Sequence, residues 1–211
     1  IIKSVDGILQ RLKIDHLDIL LLHRPDTLME SDQVAEAFDI LHTSGKVRDF
    51  GVSNQNPMMM ELLKKEVKQP LSINQLQLSA AFIPGFEAGF HVNMEGNKAA
   101  VRDGSVFEYC KLNDMVIQAW SVLQFGYFKG NFVGNEKFQQ LNQVLNRLAL
   151  KYSVSPSAIA IAWVLRYPAK MQAVVGTTNP KHLIEASQAS KVNLTRKEWY
   201  EIYIAAGNDL P

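Results

Sequence analysis

The sequence predicts a parallel α/β fold, and three observations predict it. Short apolar stretches alternate with amphipathic helical segments along the chain, most links between them are short, and polar residues stand where several apolar stretches end. Such alternation specifies a parallel sheet covered by helices, because a parallel strand pair needs a long crossover and a helix is the usual one. A doubly wound sheet and a barrel share the pattern. No GxGxxG run follows any apolar stretch, which weakens the doubly wound dinucleotide fold. In either case functional residues belong where strands end and loops begin.

Five strands are predicted. Leu17–His23 (LDILLLH) is apolar almost throughout until its last residue, the pattern of a strand buried on both faces. Val47–Ser53 (VRDFGVS), Ser72–Leu78 (SINQLQL), Val116–Val122 (VIQAWSV) and Gln172–Gly176 (QAVVG) follow. Ile1–Leu12 reads as a helix already under way, and the chain is expected to begin in the middle of a larger protein. A helix opens at Ser31, runs to about His42 and stops at Gly45. Asn56 and Pro57 begin another, with Met60, Leu62, Leu63 and Val67 as its apolar stripe. Ser105–Leu112, Phe138–Tyr152 and Pro156–Tyr167 are helical; Ser155 caps the last of these and Pro156 suits its first turn. Asn179 and Pro180 repeat that start, and Thr195 with Glu198 makes a capping box. Two loops, Ser79–Gly104 and Leu123–Glu136, are long enough to be functional.

Composition excludes more than it assigns. Hydrophobic residues make up 47%, enough for one sizeable core. With 22 basic and 21 acidic residues the net charge is +1, so nothing in the charge calls for nucleic acid or an anionic membrane as partner. No apolar run reaches the roughly 18 residues of a membrane span. Cys110 stands alone, so no internal disulfide forms and a cytoplasmic setting is the simpler expectation. His42, His91, His182 and Cys110 have no metal-ligand spacing, and no metal is expected.

The polar strand ends carry the candidate chemistry: His23 on the first strand, Ser53 and Asn54 on the second, Gln75 within the third, Trp120 and Ser121 on the fourth. In a parallel barrel these gather at one mouth. Each has a plainer reading. A histidine after an apolar run can be a satisfied core group, Ser53–Asn56 can be a polar turn, and Trp120 alone can be core. Lys64, Lys65 and Lys68 read as a solvated helix face, and Met58–Met60 as a helix start that partly packs inward. Phe82, Phe86 and Phe90 either line a pocket or pack their loop down.

Five segments together are specific. LDILLLHRPD (17–26), GKVRDFGVSN (45–54), INQLQLS (73–79), QAWSVL (118–123) and VVGTTNPKHLIEA (174–186) resemble, in order and spacing, the regions around the fourth to eighth strands of aldo-keto reductases. The resemblance spans nearly the whole chain. It implies a (β/α)8 TIM barrel of which strands four to eight are present. Residues 1–211 would then be the C-terminal portion of a single barrel domain, with the N-terminal remainder of the barrel expected before Ile1.

The resemblance also implies roles. The activity would be reversible reduction of an aldehyde or ketone to an alcohol, with NADP(H) as cofactor and a small carbonyl compound as substrate. His23 matches the active-site histidine, which orients and polarises the carbonyl. Ser53, Asn54 and Gln75 match the residues that bond the nicotinamide carboxamide. Trp120 stands where an aromatic ring stacks on the nicotinamide, often a tyrosine elsewhere. Ser121 and Leu123 match pyrophosphate contacts. Gly176, Thr177, Thr178 and Asn179 precede a helix start suited to the 2′-phosphate, with Lys181 and His182 adding charge. Many relatives have arginine in place of His182, lysine in place of Gly176 and asparagine in place of Ala186. Glu185 matches an adenine contact. The family's proton-donating tyrosine, with its lysine and aspartate, belongs to earlier strands, and no tyrosine in this chain stands in a matching context. The resemblance also admits a non-enzymatic nucleotide-binding subunit. A hydrolase with paired carboxylates is disfavoured, since the strand ends lack two acids.

Overall fold

The computed structural model describes residues 1–26, 29–85, 105–126 and 129–208. The chain divides into two compact units, Ile1–Gln75 with Glu108–Ile117, and Leu76–Phe107 with Gln118–Pro211. Five strands hydrogen-bond in chain order: β1 (Leu17–Leu22), β2 (Val47–Ser53), β3 (Leu71–Gln77), β4 (Val116–Trp120) and β5 (Met171–Ala173). The helices between and around them are α1 (Ile2–Leu12), α2 (Ser31–Thr43), α3 (Pro57–Lys64), α4 (Val106–Leu112), α5 (Gln139–Tyr152), α6 (Pro156–Leu165), α7 (Pro180–Ser187) and α8 (Arg196–Ala205).

In the first unit β1, β2 and β3 pair in parallel. Gly51 lies where β2 passes closest to its neighbours. A Cβ there would come within 2.6 Å of the Ile73 carbonyl and 2.7 Å of Leu21, so only glycine fits. Phe50 stacks on Phe38 of α2 at 4.0 Å between ring centroids, and Val34, Leu41 and Val52 are buried with them, while Ile73 lies on the opposite face of the sheet beside Gly51. Phe38, Leu41, Phe50 and Val52 are wholly buried.

In the second unit the core centres on α6, whose residues from Ala158 to Val164 are all buried. Trp163 stacks on Trp199 of α8 at 4.7 Å, and each indole N–H donates to the other's backbone carbonyl at 3.0 Å. That satisfies two polar groups which burial would otherwise leave costly. Leu141, Leu145 and Leu148 of α5 bury the helical stripe that packs toward this centre.

Most predicted elements stand, and the differences have local causes. Ser155, Asn56 and Asn179 each cap the helix whose proline follows, and Thr195 with Glu198 forms the full capping box. α6 ends at Leu165, short of Tyr167, ahead of Pro168. β1 is not buried on both faces: it is at one end of the strand order, and Asp18 and Ile19 are exposed. β5 covers only three residues, and beyond it the Val174 N–H still donates to the Ala119 carbonyl of β4 at 2.8 Å. In α3, Met60 and Leu63 pack inward as expected, and Val67 is buried beyond the helix end, but Leu62 is 62% exposed. Among the described residues no single helix is long and apolar enough to cross a membrane.

Candidate active site

The first unit brings four of the candidate residues to the carboxyl ends of its strands. Register pairs Leu22 with Val52, Val52 with Asn74 and Ser53 with Gln75. His23, the residue after Leu22, therefore comes level with Ser53 and Gln75 on the same edge. It is exposed there. Ser53 is nearly buried and donates its hydroxyl proton to the Gln75 carbonyl at 3.1 Å. The Asn54 backbone N–H donates to that same carbonyl at 2.9 Å, and the Asn54 side-chain amide donates to Ser53 Oγ at 2.9 Å. These bonds occupy the N–H side of the Asn54 side chain and leave its Oδ1 as an acceptor.

Asn54 holds a left-handed backbone, φ 53°. Asparagine tolerates that region better than most residues, yet the conformation persists only where surroundings enforce it. Ser121, at the exit of β4, repeats the feature with φ 52°. Serine is less at ease there, and its Oγ lies 3.3 Å from Gln124 Oε1 within the turn that follows. Two non-glycine residues bent this way at strand exits point to turns shaped for contact rather than for economy.

The second unit holds a cleft of about 530 Å³. β4 contributes Trp120, and Ser121, Val122, Leu123 and Gln124 follow it; Val174, Val175, Gly176 and Thr177 come from the segment after β5. His182, Glu185 and Ala186 of α7 close one side, and Ser157 and Ile161 of α6 another, with Asn131 from the loop. The volume is within the range of small-molecule sites, and the lining combines an aromatic ring with hydroxyls, amides, an imidazole and one carboxylate. At Gly176 a Cβ would meet nothing within 4 Å among the described residues.

The cleft thus gathers Trp120, Ser121, Leu123, Gly176, Thr177, His182 and Glu185 of the predicted set. Thr178 and Asn179 are not among its lining residues. Asn179 instead caps α7: its side chain accepts from the Lys181 N–H at 3.0 Å, and its own N–H donates to Thr177 Oγ1 at 3.1 Å. Gln124, Asn131, Ser157 and Ile161 line the cleft without having been singled out from sequence. Ser157 sits in the first turn of α6, directly after the Ser155–Pro156 start, and that position was the available signal. Phe86 and Phe90 lie outside the described residues, as do Tyr127 and His91. Among the described residues no group of three or more His, Cys, Asp and Glu side chains is arranged to hold a metal ion.

A profile of the aldo/keto reductase family matches residues 1–206. The chain belongs to the aldo/keto reductase family. Its relatives include oxidoreductase YdhF of Escherichia coli K12, 35% identical over 213 residues, a match that takes in 100% of this chain and 65% of that protein. A 6-dehydroglucose reductase of Agrobacterium fabrum is 33% identical over 96% of this chain and 61% of its own length. The chain therefore spans less than two thirds of the curated relatives it matches first. A crystal structure of an aldo-keto reductase from Klebsiella pneumoniae in complex with NADPH superposes with a TM-score of 0.76, at 21% identity, over 98% of this chain and 64% of that one. This likeness fixes the fold as that of aldo-keto reductases.

Proposed function

We propose that the chain forms the cofactor-holding part of an NADP(H)-dependent carbonyl reductase, its five strands taking places four to eight of a (β/α)8 barrel. The reaction is the reversible reduction of an aldehyde or ketone to an alcohol. The observation that carries this reading is the Ser53–Asn54–Gln75 network at the carboxyl ends of β2 and β3, found in a chain of this family. Relatives named as oxidoreductases and reductases, and a structural neighbour solved with NADPH, support it.

The residues present suit such a cofactor. NADPH supplies the hydride when bound. Asn54 Oδ1, left as an acceptor, would accept a hydrogen bond from the carboxamide N–H and so select which face of the nicotinamide is presented. Trp120 offers the ring a flat apolar shelf. Ser121, Thr177 and Ser157 supply hydroxyl donors for phosphate oxygens, and His182 and Glu185 flank the adenosine end. His23 directs an imidazole N–H at the substrate oxygen, which stabilises the negative charge that develops there as the hydride arrives. Thr178 and Asn179 act on the 2′-phosphate through the start of α7.

The test is a fluorescence titration of the protein with NADPH, paired with aldehyde-dependent oxidation of NADPH. Asn54→Ala is expected to weaken NADPH binding about tenfold, the loss of roughly one good hydrogen bond with its geometry. His23→Ala is expected to bind NADPH as before and to lose at least a hundredfold in kcat. A wild-type protein that binds no NADPH would end this reading.

A further inference from the structure

Asn74 is a polar side chain in an apolar place. It is 0% exposed and packs against Met60 of α3, whose sulfur lies 3.7 Å from its Nδ2, and against the buried Cys110 thiol of α4. Neighbouring residues on a strand face opposite sides, so Asn74 points into the helix layer while Gln75 points to the other face. A leucine would fill such a site without the desolvation that an amide suffers. The amide has one strong bond there: Nδ2 donates to the Gln55 carbonyl at 2.9 Å.

That carbonyl is the first one after Asn54. The Asn54 N–H is tied to the Gln75 carbonyl, and the Gln55 carbonyl is tied to the Asn74 side chain. Both anchors stand on β3, and between them the backbone at Asn54 has little freedom to leave its left-handed conformation. Gln55 is itself 1% exposed, so without Asn74 its carbonyl would have no water to turn to. The Gln55 side chain does not share the task, since among the described residues neither of its amide atoms has a hydrogen-bond partner.

We propose that Asn74 is a positioning residue for cofactor binding: from behind the sheet it clamps the Gln55 carbonyl, holds Asn54 in its left-handed turn, and so sets the angle at which the Asn54 acceptor meets the carboxamide. The proposal rests on the cofactor reading above. It assigns Asn74 no contact with cofactor or substrate.

The experiment compares NADPH with adenosine 2′,5′-bisphosphate, which shares the adenosine and phosphate groups and lacks the nicotinamide. Asn74→Leu, similar in volume and without a donor, is expected to raise the Kd for NADPH about tenfold while the Kd for adenosine 2′,5′-bisphosphate changes less than about twofold. Asn54→Ala, which removes the gripping group itself, is expected to show the same split. Equal weakening of both ligands by Asn74→Leu would mark a general loss of structure and overturn the proposal. Unchanged NADPH binding in Asn74→Leu beside weakened binding in Asn54→Ala would overturn it too, leaving the cofactor reading intact. Failure of the wild-type protein to bind NADPH would remove both. Should Asn74→Leu not fold, Asn74→Ala leaves a cavity without crowding and is judged by the same split.

Discussion

Cys110 shows how a single buried group behaves once packing surrounds it. The thiol is wholly inaccessible on α4. Burial pushes its pKa up to about 11, Glu108 adds to the rise, and the Asn74 amide offsets only part of it. Thiolate is the reactive form, so at pH 8 the native protein is expected to resist alkylation by iodoacetamide over hours and to react within minutes in denaturant. Mass spectrometry of the quenched protein reads both rates, and rapid labelling of the folded form would contradict the burial. The sequence told that this cysteine is unpaired; it could not tell that the Asn74 amide of β3 meets it in the interior. Lys64 makes the same point from the surface. Its setting among lysines reads as a solvated face, and Lys64, Lys65 and Lys68 are indeed exposed; what the pattern does not tell is that Lys64 also bonds Glu61 at 3.0 Å, Tyr109 at 3.2 Å and Asn113 at 3.0 Å, and that Lys68 pairs with Asp39 at 2.7 Å. Tyr109 and Asn113 are more than 40 positions away from Lys64, so local pattern carries no trace of them.

At the scale of elements, helix starts were legible because their chemistry is local. A capping side chain and the N–H it receives lie within three residues, and the serine, asparagine and threonine caps all stand where read. Glu198 reaches further than its capping box. Besides accepting from the Thr195 N–H and hydroxyl, both at 2.8 Å, it takes Lys151 at 2.6 Å and Tyr152 at 2.9 Å from α5. Burial alone would raise its carboxyl, but those hydrogen bonds outweigh it and hold the pKa at about 2, below the ordinary 4.5. A carboxyl depressed on folding stabilises in full above the unfolded value and loses that contribution as pH falls from about 4.5 toward 2. The shift corresponds to as much as about 3 kcal/mol. Melting temperature is therefore expected to fall steeply below pH 5, and Glu198→Gln to be less stable at pH 6 with a flatter profile from pH 5 to 3. Parallel curves for the two proteins would show that the α5–α8 tie contributes little.

At the scale of the molecule the charge is nearly balanced, so attraction for an anionic cofactor has to arise from local groups and not from a long-range field. Strand order followed from the alternation of elements, since short links and parallel crossovers leave few topologies. Strand burial was less plain: LDILLLH has the pattern of a strand covered on both faces, whereas within residues 1–211 β1 ends the strand order and Ile19 is 41% exposed. The cleft was half legible for a similar reason: motif residues announce themselves, whereas Asn131 and Ile161 line it through tertiary placement alone. If the cofactor reading holds, ligand binding must appear as stability of the folded chain. NADPH at a hundred times its Kd adds about 2.7 kcal/mol. For a protein of this size that is a rise in melting temperature of roughly 5–10 °C. Adenosine 2′,5′-bisphosphate at the same absolute concentration is expected to give a smaller rise, because it cannot engage Asn54. A differential scanning fluorimetry series over ligand concentration reads the effect, and equal shifts from the two ligands would mean that the nicotinamide end is not gripped at all.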